Sequence, residues 1–253
     1  MAGLLAGKTA LILGIANQWS LAYAIAEAFG REGAGLVLTY QGQRQRAAVE
    51  EIGAGLAARV LPCDVSQDEE LERLAEALKG SGLDAVVHSI AFANREDLAK
   101  PFVETSRSGF LVALDVSAYS LVSLARAVSP LMSRGGSILT LSYLGANRVI
   151  PNYNVMGVAK AALEASVRYL ASDLGPGGIR VNAISAGPVK TVSSRAVKDF
   201  SSILDFVAQR APLRRNTEPA EVADAAVFLA SDLSRGVTGN VLFVDAGFQI
   251  MGL

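Results

Sequence analysis

Short apolar runs alternate with longer helical patterns along the chain, and this alternation limits the possible folds more than any other feature. Most of the runs are continuously apolar, without an alternation of polar residues. Strands that are buried on both faces of a parallel sheet have this composition, whereas strands with one solvated face alternate. The predicted strands cover residues 9–14, 35–40, 58–65, 84–90, 136–142, 178–185 and 240–245.

Helical patterns occupy most of the intervals between these strands. The predicted helices cover residues 20–32, 43–54, 67–79, 106–133, 152–174 and 218–231. Such regular alternation favours an α/β fold of the doubly wound Rossmann type, here with a seven-stranded parallel sheet. Because no linker, repeat or low-complexity tract divides the sequence, we predict one NAD(P)-binding Rossmann domain over residues 1–253.

A long insertion at about residues 188–216 separates the last two strands. An amphipathic helix packed on the domain is one interpretation of it, and a helical lid over a substrate is the other. The position of the insertion after the carboxyl end of a strand favours the lid, because open α/β sheets bind ligands at that edge. Its apolar residues recur at helical spacing at Val197, Phe200, Ile203, Leu204 and Val207.

Composition excludes several classes of function. The net charge of −1 and the pI of about 5.9 offer no basic surface to nucleic acid. His88 is the only histidine, so a multi-histidine metal site is impossible and no metal is predicted. Its place near the end of a buried strand predicts a core residue. Cys63 is the only cysteine, which excludes an intrachain disulfide and fits a cytoplasmic location.

The longest apolar-rich stretch lies at residues 109–128. Asp115 and several serines interrupt it, so it predicts a buried helix and not a membrane span. The amino-terminal residues run directly into the first strand, and we predict no signal peptide.

Tyr153 and Lys160 are the strongest catalytic candidates. They lie seven positions apart in a stretch that predicts one helix, which leaves the side chains about 20° out of line and about 10.5 Å apart along the axis. A phenol on such a face can donate a hydrogen bond to a substrate oxygen, and the ammonium can hold the ribose hydroxyls of a cofactor. A chance pairing has the same spacing, so the interpretation depends on other motifs.

The turn after the first strand has features of a dinucleotide site. Gly14 ends the strand, and Ser20 can cap the next helix, whose free N–H groups suit a pyrophosphate. The usual G-x-G-x-x-G pattern is absent, so an ordinary strand-to-helix turn is the alternative.

The ends of the second and third strands predict the adenosine site. Gln41 stands where NAD-binding proteins usually have an acidic residue, and it too can bind a ribose hydroxyl. Arg44 and Arg46 could pair with a 2′-phosphate or lie as solvated charges on a helix, so NADH is favoured and NADPH stays possible. Asp64 and Val65 suit an adenine, although an aspartate also commonly starts a helix.

Four motifs in order give the chain a family resemblance. The position four after Tyr153, where ordinary short-chain dehydrogenases/reductases have lysine, holds Gly157. With Tyr-x6-Lys instead, the chain resembles the divergent branch of that family, the bacterial-type enoyl-acyl-carrier-protein reductases (NADH), over about residues 4–250. The motifs are Ser89-Ile90-Ala91-Phe92, Leu141-Ser142-Tyr143, Tyr153-x6-Lys160 and Ser185-Ala186-Gly187-Pro188.

The resemblance implies a role for each matching residue. The implied catalytic residues are Tyr143, Tyr153 and Lys160. The implied NADH-binding residues are Gly14, Ser20, Leu21, Gln41, Asp64, Val65, Ile90, Lys160, Val189, Lys190, Thr191, Val192 and Ser193. The implied substrate-binding residues are Ala93, Tyr143, Tyr153 and Phe200.

The same resemblance implies the reaction and the partners. The reaction is reduction of the trans-2 double bond of an enoyl thioester on acyl carrier protein, the last reductive step of type II fatty-acid elongation. Tyr153 would stabilise the enolate and Lys160 would bind the nicotinamide ribose. A homotetramer is implied, with helices 106–133 and 152–174 between subunits. Six basic residues either attract the acidic carrier or are scattered surface charges. They are Lys190, Arg195, Lys198, Arg210, Arg214 and Arg215.

Two competing functions share the predicted fold. One is a reductase that acts on a ketone or on an enoyl-CoA, and the Tyr-x6-Lys spacing disfavours a simple ketone reductase. The other is a non-catalytic dinucleotide sensor, which would not need both the phenol and the lysine.

Overall fold

The computed structural model describes residues 2–190 and 200–252. Its strands form one parallel seven-stranded sheet in the order β3-β2-β1-β4-β5-β6-β7. This confirms the predicted Rossmann-type fold. The strands are β1 Thr9–Leu13, β2 Gly35–Tyr40, β3 Arg59–Pro62, β4 Leu83–His88, β5 Gly136–Tyr143, β6 Ile179–Ala186 and β7 Val241–Val244.

The strand order reverses beside β1, which has β2 on one side and β4 on the other. In open α/β sheets this reversal opens a crevice at the carboxyl ends of the strands, because the flanking connections leave in opposite directions. The fold therefore places a ligand site where β1 and β4 end.

Helices cover both faces of the sheet. One hydrophobic core contains Ile25 and Phe29 of the first helix and Val222 of the last, while the other contains Leu74, Leu121 and Leu163 from the opposite face. All six side chains are almost fully buried. The helices are α1 Leu21–Arg31, α2 Gln43–Gly55, α3 Asp68–Ala77, α4 Arg95–Ala99, α5 Arg107–Leu114, α6 Ser120–Val128, α7 Val155–Leu174, α8 Phe200–Arg210 and α9 Pro219–Ala230.

The helix predicted at 106–133 is interrupted. A π-helical turn at Asp115–Tyr119 joins α5 to α6, and a 3₁₀ turn at Ser129–Leu131 follows. Within the described residues, the segment Arg107–Leu131 is the one helix that is long and apolar enough to cross a membrane, and half of its apolar window is buried in the fold. It contacts α3 and α7, as expected for the predicted buried helix.

The helix predicted at 152–174 begins later, at Val155. Asn152 and Asn154 precede it with φ angles of 63° and 43°, a region that asparagine tolerates better than most residues. The Asn154 side chain holds the turn in place, since its Nδ2 donates to the carbonyl oxygens of Leu98 at 3.1 Å and Lys100 at 2.7 Å. Tyr153 therefore lies in a turn, and the prediction that it shares a helix face with Lys160 is wrong.

Candidate active site

One cavity of about 480 Å³ lies at the carboxyl edge of β1, β4, β5 and β6. It brings together residues that are far apart in sequence, from the end of β1 to the start of α8. The predicted site residues that line it are Gly14, Ser20, Leu21, Ile90, Ala93, Tyr143, Tyr153, Lys160, Val189 and Phe200. Tyr153 and Lys160 thus line the same cavity even though they do not share a helix.

Gly14 brings the ends of β1 and β4 into contact. Its φ is +94°, and a Cβ atom at this position would fall 2.0 Å from the carbonyl oxygen of Ser89. No other residue fits there. Ser20 caps α1, because its Oγ accepts a hydrogen bond from the Tyr23 N–H at 3.2 Å. The remaining free N–H groups of that turn suit an anionic group.

Gln41, Asp64 and Val65 lie outside this cavity, after β2 and β3. The Gln41 Nε2 donates to the Asp64 Oδ2 at 3.1 Å, so the two predicted adenosine residues are neighbours. Burial alone would raise the pKa of Asp64, but hydrogen bonds from Ser66 and Gln41 outweigh it and lower the pKa. Asp64 is therefore a carboxylate that can accept further hydrogen bonds.

The remaining predicted cofactor residues follow β6. Lys190 is exposed. Thr191, Val192 and Ser193 lie outside the described residues, as do Arg195, Val197 and Lys198.

Two tyrosine rings in contact with each other line the cavity. Tyr143 ends β5, and its ring meets that of Tyr153 edge to face, with centroids 5.0 Å apart and an interplanar angle of 68°. The ring of Tyr153 also lies against Gly145, where a Cβ atom would come within 2.4 Å of it. A Cβ atom at Gly157 would fall 2.8 Å from the Gly145 carbonyl oxygen. The absence of a side chain four positions after Tyr153 is thus a packing requirement.

Both phenols are neutral at physiological pH. Burial raises the pKa of Tyr143 to about 12. Burial also raises the pKa of Tyr153 well above its usual value, and the neighbouring Tyr143 raises it further. Tyr153 can therefore donate a hydrogen bond to an oxygen that gains negative charge.

Lys160 is buried on α7, at 5% exposure. Its Nζ donates to the carbonyl oxygen of Leu141 at 2.7 Å, which leaves donors for a ligand. Burial lowers the pKa of Lys160 to about 8, and the negative charge of Glu164 opposes that shift. At neutral pH the side chain is mainly an ammonium.

His88 is a core residue, as predicted. It is fully buried, with Nδ1 2.9 Å from Thr140 Oγ1 and Nε2 2.8 Å from Ser120 Oγ. Burial and then the charge of Lys160 lower its pKa to about 3, so the ring is neutral. It does not line the cavity.

The sequence did not point to Ser117 in the π-helical turn. Its Oγ accepts from the Phe92 N–H at 2.9 Å and donates to the Phe92 carbonyl at 3.0 Å, which fixes a backbone segment that lines the cavity. Such single π turns often mark functional sites, but nothing in the local sequence signals one.

The enoyl-(acyl carrier protein) reductase family model matches residues 14–249. The chain belongs to this family. Within the described residues, no group of three or more His, Cys, Asp or Glu side chains could hold a metal ion.

Relatives of this reductase align over nearly its whole length. It is 55% identical to the enoyl-acyl-carrier-protein reductase (NADH) FabI of Bacillus cereus, over 98% of this chain and 99% of the relative. It is 51% identical to the corresponding protein of Nostoc sp., over 98% and 99%.

Solved structures show the same fold. The Bacillus cereus enzyme with NADP+ and indole naphthyridinone superposes with a TM-score of 0.98, covering 99% of this chain and all of that one at 55% identity. The Anaplasma phagocytophilum enzyme in complex with NAD superposes with a TM-score of 0.96, covering 100% and 98% at 46% identity.

The residues of this reductase fit a dinucleotide. The side-chain-free Gly14 edge beside the capped amino terminus of α1 suits a pyrophosphate, and Gln41 with the Asp64 carboxylate offers hydrogen-bonding groups to an adenosine. The Lys160 ammonium, which keeps donors beyond its bond to the Leu141 carbonyl oxygen, lines the same cavity as Gly14.

Proposed function

We propose that this chain is an NADH-dependent enoyl-acyl-carrier-protein reductase, an oxidoreductase that acts on a CH–CH bond. It reduces the trans-2 double bond of enoyl thioesters in the last reductive step of type II fatty-acid elongation. The observation that carries the proposal is the placement of a neutral phenol, Tyr153, and a buried ammonium, Lys160, in one cavity with the anion-binding turn after β1.

The proposal gives each of the predicted cofactor residues a role. Bound NADH supplies the hydride that the substrate β-carbon receives. Gly14, Ser20 and Leu21 hold its pyrophosphate, and Ile90 borders it. Lys160 holds the nicotinamide ribose. We assign the remaining cofactor contacts to Gln41, Asp64, Val65, Val189, Lys190, Thr191, Val192 and Ser193.

The pairing of Arg46 supports NADH over NADPH. Its Nε lies 2.8 Å from Glu50 Oε1 within α2, so this guanidinium already has a carboxylate partner. A 2′-phosphate would have to share that guanidinium with the Glu50 carboxylate.

Tyr153 performs the central step on the substrate side. As the β-carbon accepts hydride, negative charge builds on the thioester oxygen, and the Tyr153 hydroxyl donates a hydrogen bond to it. A proton from solvent then adds to the α-carbon, and the enolate oxygen returns to a neutral thioester carbonyl. Tyr143 holds the Tyr153 ring through their edge contact, and Ala93 contacts the substrate. The reaction needs no covalent nucleophile.

We also propose that residues 1–253 form one Rossmann domain, with a lid at about 188–216. One sheet containing all seven described strands supports the single domain. Phe200 and Ile203 of α8 line the cavity, while Leu204 and Val207 on the same helix are buried, which supports an apolar cover over an acyl chain.

Acyl carrier protein delivers the substrate in this proposal. Of the predicted basic residues that the structure describes, Arg215 has its charge occupied by both oxygens of Glu221. Arg210 is exposed and its guanidinium lies 4.6 Å from the centre of the Phe206 ring, and Lys190 is exposed as well. Arg214 is exposed too and donates to the Gln209 carbonyl oxygen, so these three cations are the better candidates to attract an acidic carrier.

A homotetramer is the proposed assembly. Apolar side chains stand exposed on α5, the π-helical turn and α7, where the sequence predicted subunit contacts: Leu111, Val112, Tyr119 and Tyr169. Burial between subunits would remove them from water. Light scattering on the purified protein should give four times the chain mass, and a monomer mass would contradict the assembly.

A cytoplasmic location completes the proposal. The single cysteine, Cys63, is free and buried, and burial raises the pKa of its thiol to about 12, which suits a protein that forms no disulfide. Recovery of the native protein outside the cytoplasmic fraction would contradict it.

The decisive experiment follows the absorbance of the reduced nicotinamide with crotonyl-acyl-carrier-protein as substrate. We expect rapid oxidation of NADH, slower oxidation of NADPH, and a larger KM for crotonyl-CoA than for the carrier-linked thioester. A β-ketoacyl carrier substrate should give no turnover. Reduction of the ketone alone, or binding of NADH without turnover of any thioester, would reject the proposal in favour of one of its competitors.

A further inference from the structure

A buried carboxylate lies one turn beyond Lys160 on α7. Glu164 is 5% exposed, and both of its oxygens accept hydrogen bonds: Oε1 from Ser142 Oγ at 2.5 Å and Oε2 from Asn147 Nδ2 at 3.0 Å. Carboxylates are rarely buried unless they are paired, because burial removes their hydration. The proposed reaction itself gives this one no role.

The two partners of Glu164 bracket the segment 142–147, which holds the phenols in place. Ser142 directly precedes Tyr143, and Asn147 directly follows the 3₁₀ turn at Leu144–Ala146. That turn contains Gly145, which lies against the Tyr153 ring. One carboxylate on α7 therefore holds both ends of the segment that contacts both tyrosine rings.

Lys160 attaches the same helix to the same strand. Its Nζ binds the carbonyl of Leu141, and Glu164 binds the side chain of the next residue, Ser142. Residues four apart on a helix lie on the same side, one turn apart. Two successive turns of α7 are thus fixed to two successive residues at the end of β5.

Glu164 also opposes the cost of burying the Lys160 ammonium. His88 on β4 and the two tyrosines are neutral at physiological pH, and the guanidinium of Arg95 lines the same cavity. The negative charge of Glu164 raises the pKa of Lys160, against the larger effect of burial.

We propose that Glu164 is a positioning residue, which holds the segment 142–147 against α7 and stabilises the charged form of Lys160 that binds NADH. The inference rests on the proposed function, since it assigns Lys160 to the cofactor. It adds a residue that touches neither cofactor nor substrate but sets the geometry and charge of those that do.

Glu164→Gln separates charge from hydrogen bonding. The amide can still accept from Ser142 and can bond to a rotated Asn147 side chain, but it has no charge. Without the negative charge the pKa of Lys160 falls further below about 8. We expect the pH at which NADH binding weakens to move down by roughly one unit, and the Kd near pH 8 to rise about fivefold, with a smaller change in kcat.

Glu164→Ala removes both contributions. We expect the same weakening of NADH binding and, in addition, a loss of kcat of about tenfold because the tyrosine segment is no longer held. Asp173→Asn is the matched control, because it removes an exposed carboxylate from the same helix and should leave all values unchanged. Kd is measured from NADH fluorescence between about pH 6 and pH 9 with no substrate present, and thermal unfolding checks that each variant folds.

The outcomes separate this inference from the proposed function. If the unsubstituted protein neither binds NADH nor reduces the thioester, the proposed function fails. If it does both and Glu164→Gln keeps its Kd and its pH midpoint, the charge role is overturned. If Glu164→Ala lowers kcat no more than Glu164→Gln does, the positioning of segment 142–147 is overturned. Glu164→Gln decides the charge role even if the alanine variant does not fold.

Discussion

Tyr153→Phe is expected to lower kcat for crotonyl-acyl-carrier-protein by about 100- to 1000-fold and to leave the Kd for NADH nearly unchanged. The substitution removes one hydroxyl and keeps the ring, so the edge contact with Tyr143 and the packing against Gly145 persist. What is lost is the hydrogen bond to an oxygen that carries charge only during the reaction. Such an interaction contributes to kcat and little to binding. Steady-state rates together with NADH fluorescence measure both quantities.

Tyr143→Phe is the matched control, since it removes a hydroxyl from the adjoining ring of the same cavity. It should cost far less than Tyr153→Phe, because in the proposed mechanism Tyr143 supports the Tyr153 ring. A large loss for Tyr143→Phe with near-normal turnover for Tyr153→Phe would show that the two roles are exchanged. The raised pKa of both phenols also predicts no loss of rate from tyrosine ionisation as pH rises through the neutral range.

The sheet could be predicted from sequence because each strand carries its own signal. Continuously apolar runs such as 35–40 match β2 at both ends, since burial on both faces of a parallel sheet depends on local composition. The role of Gly14 could also be predicted, because a glycine at the end of the first strand is a local requirement of the fold.

The start of α7 could not be predicted because tertiary contacts determine it. The sequence around Tyr153 is compatible with helix, yet Asn152 and Asn154 adopt positive φ. The hydrogen bonds from Asn154 to the carbonyls of Leu98 and Lys100 join residues more than fifty positions apart in the chain. The resemblance indicates a pair of residues that the fold brings into one cavity, although Tyr153 lies before the helix that carries Lys160.

The polar contacts that position the site residues could not be predicted either, because they too depend on tertiary packing. Ser142 and Glu164 are 22 positions apart, and neither is unusual in its local sequence. Ser117 reaches Phe92 only because a π-helical turn interrupts the helix between α5 and α6. Tertiary packing determines which residues position others. No short motif in a single sequence encodes that packing.

Lys160→Met is expected to raise the Kd for NADH by about 10- to 100-fold at neutral pH. The ammonium lies in a buried site, where a hydrogen bond from a charged donor to a ribose hydroxyl contributes about 1.5–3 kcal/mol. Methionine has nearly the same length and fills the space without the charge. The rate at saturating NADH should also fall, since a displaced cofactor no longer presents its reacting carbon at the required distance.

The pH dependence identifies the ammonium as the cause. The pKa of about 8 means that Lys160 loses its proton as pH rises through that value, so NADH binding to the unsubstituted protein should weaken above pH 8 and the Met variant should not share that dependence. Lys79→Met, which removes an exposed lysine that follows α3 and pairs with Glu76 of that helix, serves as control. A Lys160→Met protein that binds NADH as tightly as the original at pH 7 would remove Lys160 from the cofactor site.

As pH rises, the stability of the folded protein should increase while its affinity for NADH decreases. The pKa of Lys160 is lower in the folded protein than the ordinary value of 10.5, so the unfolded chain binds more protons between about pH 8 and pH 10.5. Below pH 8 the buried ammonium therefore costs the fold roughly 3 kcal/mol, and the cost disappears as pH rises through that window. Lys160→Met should unfold at the same temperature as the original protein or a higher one at pH 7. A buried charge that lowers stability is consistent with a binding role for Lys160. A Lys160→Met variant that is less stable and unchanged in NADH affinity would indicate a structural role instead.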